Sequence, residues 1–148
     1  MFHPLILFLI FNLFISEIGT FSLFRKTRST AVQGIVMCNG KPQRKVLVKL
    51  YEKDTIRDDL IDKTRTNRRG AFRVKGHSKD WGTVKFRVHI YHKCTVTKLD
   101  KCRIKYAFSV PPNFVSKGKT PKFTYKLNRI AMRTTDPKGR WGDKDCFH

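Results

Sequence analysis

The chain has 148 residues, about one domain's length with extensions at the ends. Its 40% hydrophobic content is enough for a packed core, while 32 Lys and Arg against 11 Asp and Glu leave a net charge of +21. A field of that sign attracts nucleic acid, anionic lipid headgroups or sulfated glycans, repels basic partners, and says nothing about fold.

The chain opens on an apolar segment. No Lys or Arg precedes Arg25, and Glu17 is the only acid there. Leu5 to Ile15 is apolar except for Asn12, a length that suits the h-region of a secretory leader and falls short of the ~20 residues of a membrane span. Thr20 and Ser22 are the small residues a cut after Ser22 requires, so residues 1–22 are expected to be a signal peptide. The weak n-region, with Arg25, Lys26 and Arg28 just after the apolar run, is what a signal anchor would show. The short apolar run favours cleavage and a secreted, extracellular domain.

Beyond residue 30 the pattern has period 2, and helical stripes are scarce. Ala31 to Cys38 reads as a first strand, closed by the turn Asn39-Gly40-Lys41-Pro42. Val46 to Tyr51 reads as a second. Glu52 to Asp59 is polar and acidic and is expected to be a loop. Leu60 to Thr66 forms a short strand, and Asn67-Arg68-Arg69-Gly70 a hairpin turn with glycine in the left-handed region. Phe72 and Val74 alternate with Arg73 and Lys75 until Gly76, where the strand is expected to stop. Val84, Phe86, Val88 and Ile90 share one face of the clearest strand, with Lys85, Arg87, His89 and Tyr91 on the other. Arg103 to Val110 repeats the pattern and is stopped by Pro111-Pro112. Phe123, Tyr125 and Leu127 alternate with Lys122, Thr124 and Lys126, and Ile130 and Met132 continue after a bulge. The tail from Thr134 is expected to be loop up to Cys146. Seven or eight short strands at this spacing predict an all-β, two-sheet sandwich or a barrel.

Four cysteines behind a leader read as two disulfides. Cys94–Cys102 would close a short loop between two strands, which leaves Cys38–Cys146 to tie the first strand to the tail. No CxxC spacing supports a zinc site. None of the five asparagines, such as Asn39 or Asn67, has a Ser or Thr two places on, so no N-glycosylation is expected.

Several segments resemble one known family. Val36-Met37-Cys38-Asn39-Gly40-Lys41-Pro42 with Val48-Lys49-Leu50-Tyr51 resembles the start of the nematode transthyretin-like family. Gly70-Ala71-Phe72 with Gly76-His77, Ile90-Tyr91-His92-Lys93-Cys94, Lys117 to Lys122, and Asp145-Cys146-Phe147-His148 resemble its later segments in order. The resemblance covers about residues 31–148. It implies secretion and a transthyretin-type sandwich, and some relatives look like extracellular factors that recognise phosphatidylserine. The fold is similar to that of hormone carriers and of 5-hydroxyisourate hydrolases. Those hydrolases close on Tyr-Arg-Gly-Ser, whereas this chain closes on Cys146-Phe147-His148. Arg68-Arg69 also stands where the family usually has acidic turn residues.

The leading candidate site is a basic sheet face. With the three long strands adjacent in one sheet, Lys85, Arg87, Arg103, Lys105, Lys122 and Lys126 point outward together. Such a face would bind an anionic partner, or would serve as a solvated surface whose lysines keep sheet edges from pairing. His89 and His92 fall on opposite faces of a strand and make a poor metal pair. Beside them and His77 and His148, only Asp100, Asp136, Asp143 and Asp145 offer an orienting acid in the second half, so no catalytic site is expected. Trp81, Tyr91, Phe114 and Trp141 lie in or beside expected loops, where they would pack beneath the loops or meet a lipid surface.

These observations predict a secreted binding or adaptor domain without cofactor, metal or enzymatic role. Its partner would be an anionic lipid headgroup or sulfated glycan, with peripheral membrane contact. A cell-surface receptor with incidental charge is the alternative, followed by a carrier of small hydrophobic ligands and lastly a hydroxyisourate-type hydrolase. Nucleic acid is not expected, since no nucleic-acid-binding signature is present.

Overall fold

The computed structural model describes residues 25–94, 101–132 and 142–147. The expected signal peptide at 1–22 and the residues Asp100, Asp136, Trp141 and His148 lie outside the described residues.

Two sheets form the all-β sandwich. The strands are β1 (Lys26–Cys38), β2 (Lys41–Pro42), β3 (Leu47–Glu52), β4 (Asp59–Arg65), β5 (Ala71–Asp80), β6 (Phe86–His92), β7 (Arg103–Ser109), β8 (Ser116–Lys117), β9 (Thr124–Met132) and β10 (Asp143–Asp145). In one sheet β1 is central, antiparallel to β5 and parallel to β9, with the short β2 and β8 also paired to it. The other sheet runs β10-β7-β6-β3-β4.

The period-2 pattern explains the core. Val32 and Val36 of β1, Phe72 and Val74 of β5, and Ile130 and Met132 of β9 turn inward. They meet Val48 and Leu50 of β3 and Phe86, Val88 and Ile90 of β6, all buried. The turns are set by backbone chemistry. Asn39 and Gly40 both have positive φ (49° and 75°), the two-residue hairpin geometry that an Asn-Gly pair favours. Gly70 has φ 72°, and the Asn67 carboxamide oxygen receives the N–H groups of Arg69 and Ala71 at 2.9 and 3.0 Å. The bulge expected before Ile130 is present: Asn128 has φ 52°, and the β1–β9 register shifts between Gln33 and Ile35.

Several expectations are corrected. β5 runs on through Gly76 to Asp80. A Cβ at Gly76 would come within 2.3 Å of Ile61 Cγ2, so the glycine admits the facing strand rather than ending its own. Glu52 is the last residue of β3 and is buried, not part of a loop. The tail contains a strand, β10, on the edge of β7.

The disulfides are Cys38–Cys94 and Cys102–Cys146, not Cys94–Cys102 and Cys38–Cys146. Cys94 follows His92 by two residues and so shares its inward face, where it meets the end of β1 in the opposite sheet. Cys146 continues the β10–β7 register that pairs Asp145 with Arg103, which sets it beside Cys102.

Candidate anion-binding face and cleft

The register of the second five-stranded sheet, β10-β7-β6-β3-β4, fixes which side chains share its outer face. On β6, Arg87, His89 and Tyr91 stand opposite Tyr51, Lys49 and Leu47 of β3. Across the other edge they stand opposite Ser109, Ala107 and Lys105 of β7. Lys63 and Arg65 of β4 extend the face beside Lys49 and Leu47. Directly opposed residues in an antiparallel pair point the same way, so Lys49, Lys63, Arg65, Arg87, Arg103 and Lys105 surround a centre of Tyr51, His89 and Tyr91.

That centre is held by ring contacts. The Tyr51 and His89 rings lie 4.8 Å apart, and the Tyr91 hydroxyl is 3.4 Å from His89 Nδ1. The Lys49 ammonium sits 5.1 Å from the Tyr91 ring centroid, a cation–π arrangement. Burial, reinforced by the charges of Lys105, Arg87 and Lys49, lowers the pKa of His89 to about 4, so it is neutral at physiological pH. Burial first, then its interaction with Tyr51, raises the pKa of the Tyr91 phenol. A neutral imidazole against tyrosine rings, ringed by cations, offers an electropositive surface with polar and aromatic contacts at its middle. Two acids of β10 border this face, Asp143 at 3.6 Å from Lys105 and Asp145 opposite Arg103, and the charge of Asp58 opposes the lowering at His89.

At one end of the sandwich the face runs into a cleft of about 510 Å³, within the range of small-molecule sites. Lys26, Arg28, Lys53, Lys85 and Arg87 line it, without an acid among the lining residues. Its apolar lining includes Val84, Phe86, Val110 and Val115. Two backbone bonds shape it: Lys53 N–H donates to Lys85 C=O at 2.8 Å, and Val110 N–H to Phe86 C=O at 2.9 Å.

The six cations expected on one face are divided by the topology. Arg87, Arg103 and Lys105 lie together on the five-stranded sheet, and Lys85 is at the cleft. Lys126 stands opposite Gln33 of β1, in the other sheet and on the opposite side of the molecule. Lys122 lies just before β9, its N–H donating to Ser116 Oγ at 2.9 Å. The reason is that β9 pairs with β1 and not with β7. The lysines and arginines that take their places, Lys49, Lys63 and Arg65, were signalled by the alternation of β3 and β4. Lys26, Arg28 and Lys53 at the cleft carried no such signal, because loops and strand ends have no period.

The other candidates also separate. His89 faces outward, while His92 is buried on the inner face, its Nδ1 accepting the Cys94 N–H at 3.2 Å. Burial lowers the pKa of His92 to about 4. Phe114 packs on Tyr125 with ring centroids 4.9 Å apart, and Tyr91 is covered within the sheet. Trp81 alone of the described aromatics singled out in the sequence is largely exposed, at 54%.

The transthyretin-like family model, described as TTR-52, matches residues 33–111. The chain belongs to the transthyretin-like family. Transthyretin-like protein 5 of Caenorhabditis elegans is 34% identical over 133 residues, 88% of this chain and 92% of that one. Transthyretin-like protein 33 of the same nematode is also 34% identical over 133 residues, covering 88% and 89%. Transthyretin-like protein 46 is 30% identical over 131 residues, covering 87% and 73%. The matches to the first two therefore span nearly the whole of each transthyretin-like relative.

Proposed function

We propose that this transthyretin-like protein is a secreted, extracellular binding module, not an enzyme, that recognises an anionic partner through the outer face of its five-stranded sheet and the adjoining cleft. The observation that carries the reading is the cleft, with Lys26, Arg28, Lys53, Lys85 and Arg87 around it and no acid in its lining. Like charges held this close repel one another, and an anion relieves that repulsion. Tyr51 and neutral His89, both partly exposed, supply flat contacts and hydrogen bonds at the middle of the face. Resemblance to a family in which some members look like phosphatidylserine-recognising factors supports an anionic ligand. Among the described residues the direct ring and hydrogen-bond partners of His89 are Tyr51 and Tyr91 rather than a carboxylate, which favours binding over general-base catalysis.

The test is titration of the purified, oxidised protein with a sulfated glycan and with vesicles containing an anionic phospholipid, across salt concentrations. The reading expects binding of one or both at physiological salt, weakening as salt screens the cations. Indifference to both ligands at low salt would overturn it. Salt-insensitive capture of a protein receptor with no anion binding would favour the receptor-ligand alternative.

A further inference from the structure

At the end of the sandwich opposite the cleft, β1, β4 and β6 finish and β3, β5 and β7 begin. The segments that meet there, residues 38–46, 65–71, 91–94 and 101–104, hold nine Lys and Arg and no Asp or Glu. Asp143 and Asp145 of β10 border this end, the latter opposite Arg103. The cleft end, by contrast, mixes its cations with Asp54, Asp58, Asp59 and Asp80. A hollow of about 220 Å³ opens at the opposite end, lined by Arg44, Lys45, Lys93 and Arg103 with the buried Tyr91 and His92, and without an acid in the lining. Hydrogen bonds hold its rim: Lys45 N–H donates to Thr66 C=O at 2.8 Å, Thr66 N–H to Val46 C=O at 3.0 Å, and Arg65 Nη1 to Lys45 C=O at 3.1 Å. They tie the hollow to the turn that carries the exposed Arg68 and Arg69. Lys45 has φ 61°, whereas the other described non-glycine residues in the left-handed region are Asn39 and Asn128. Asparagine tolerates that conformation better than lysine, so a strained residue marks the rim.

From this arrangement we infer that this end binds a sulfated polysaccharide, with one sulfo group seated in the hollow, further sulfo groups on Arg68 and Arg69, and the chain continuing over Arg103 onto the sheet face. The inference rests on the anion-binding reading, names its partner, and adds a site at the end of the sandwich away from the cleft. Charge complementarity is the first argument, since this end is basic without interspersed acids. Size is the second. The hollow is smaller than the usual small-molecule site and suits a single oxyanion group, which guanidinium groups meet with paired N–H donors. The third is the division of the cations between the hollow, the turn and the sheet face. A ligand that uses all three carries its charges at intervals along a flexible chain. The aromatics of the hollow, Tyr91 and His92, are buried, so they offer neither a stacking platform for nucleic-acid bases nor an anchor for a bilayer.

The experiment titrates heparin oligosaccharides, and the same oligosaccharides after desulfation, into the full chain produced in oxidised form through a secretory host, at physiological salt. The sulfated chains are expected to bind and the desulfated ones not to. Arg44→Ser with Lys45→Gly is expected to weaken affinity about tenfold or more, and Arg68→Ser with Arg69→Ser by a smaller factor. Lys75→Ser with Lys79→Ser removes the same charge from β5 and is expected to leave affinity within about twofold. Glycine suits the left-handed φ at position 45, so the first variant is expected to resist urea at least as well as the parent, which separates loss of binding from unfolding. Equal losses in the Arg44–Lys45 and Lys75–Lys79 variants would overturn the site. The anion-binding reading would then stand alone if Arg87→Glu with Lys105→Glu still weakened binding. Duplex DNA or anionic vesicles bound as tightly as heparin, with the same sensitivity to Arg44 and Lys45, would overturn the glycan as partner, as would equal binding of the desulfated chains. A parent protein that binds none of these anions would remove both the inference and the reading beneath it.

Discussion

Cys38, the last residue of β1, is bonded to Cys94, two residues past β6, so one disulfide joins the central strands of the two sheets. The second, Cys102–Cys146, joins the edge strand β10 to its neighbour β7 within one sheet instead. Their sequence separations are 56 and 44, and the chain-entropy model assigns each a similar contribution, about 4 kcal/mol. Their folded-state roles differ. Serine at Cys38 and Cys94 is expected to lower unfolding free energy by most of that amount, as read by urea denaturation. Serine at Cys102 and Cys146 is expected to cost clearly less, because the three-residue, mostly exposed β10 can detach while the core stays packed. Equal losses would mean that β10 is integral to the core.

Gly70 is the tightest backbone requirement in the described chain. With φ at 72°, a Cβ there would meet the Val36 carbonyl oxygen at 2.6 Å. That oxygen is already engaged by Gln43 N–H at 2.8 Å, while Gly70 C=O receives Val36 N–H at 2.9 Å. Gly70→Ala combines a left-handed residue with a backbone clash and is expected to cost about 2–3 kcal/mol. Gly40→Ala has similar φ and open space around it, and is expected to cost about 1 kcal/mol. Thermal or urea unfolding of the two variants checks the ordering.

The contrast between such local features and the site shows what the sequence disclosed. Inward and outward residues of β1, β3, β6 and β9 followed from alternation, because one face of each strand must leave water. The Asn39-Gly40 and Asn67–Gly70 turns followed from the backbone freedom of their residues. Strand neighbours did not follow. The alternation of Thr124 to Leu127 is the same whether β9 pairs with β7 or with β1, and that choice moves Lys122 and Lys126 to the opposite side of the molecule. Disulfide partners did not follow for the same reason: proximity along the chain is not proximity across the sandwich. The cleft depends on three loops and the start of β1 meeting at one end, which no periodicity encodes.

His89 and His92 make stability depend on pH. Both have folded pKa values of about 4, against an ordinary 6.5, because burial disfavours the charged ring. Above pH 6.5 neither is charged in the folded or unfolded chain, and stability is at its full value. As pH falls below 6.5 the unfolded chain takes up protons that the folded chain refuses, so stability declines until about pH 4. Between pH 7 and pH 5 the expected loss is about 2–4 kcal/mol, the smaller part from half-exposed His89. His89→Gln should flatten part of the slope in urea titrations. A wild-type protein equally stable at both pH values would contradict the burial assigned to both rings.

Glu52 works in the opposite sense. Burial raises its pKa, opposed by the hydrogen bond from Ser78, and Asp80, Asp59 and Asp54 push it further up. Its ionised form is disfavoured in the folded chain, so its contribution to stability falls as pH rises from 4.5 through the raised value. Glu52→Gln keeps an acceptor for the Ser78 hydroxyl and carries no charge. At pH 7 it is expected to be at least as stable as the parent, and a large loss would show that the carboxylate is needed there.

The most direct test of anion recognition compares two charge reversals of equal size. Arg87→Glu with Lys105→Glu alters the face of the β10-β7-β6-β3-β4 sheet, while Lys122→Glu with Lys126→Glu makes the same change in net charge on the side of the β1-β5-β9 sheet. Affinity for heparin and for anionic vesicles is measured at physiological salt. The first pair is expected to weaken binding at least tenfold more than the second. Equal losses would show that total charge alone is acting, and would contradict a binding site on the five-stranded sheet.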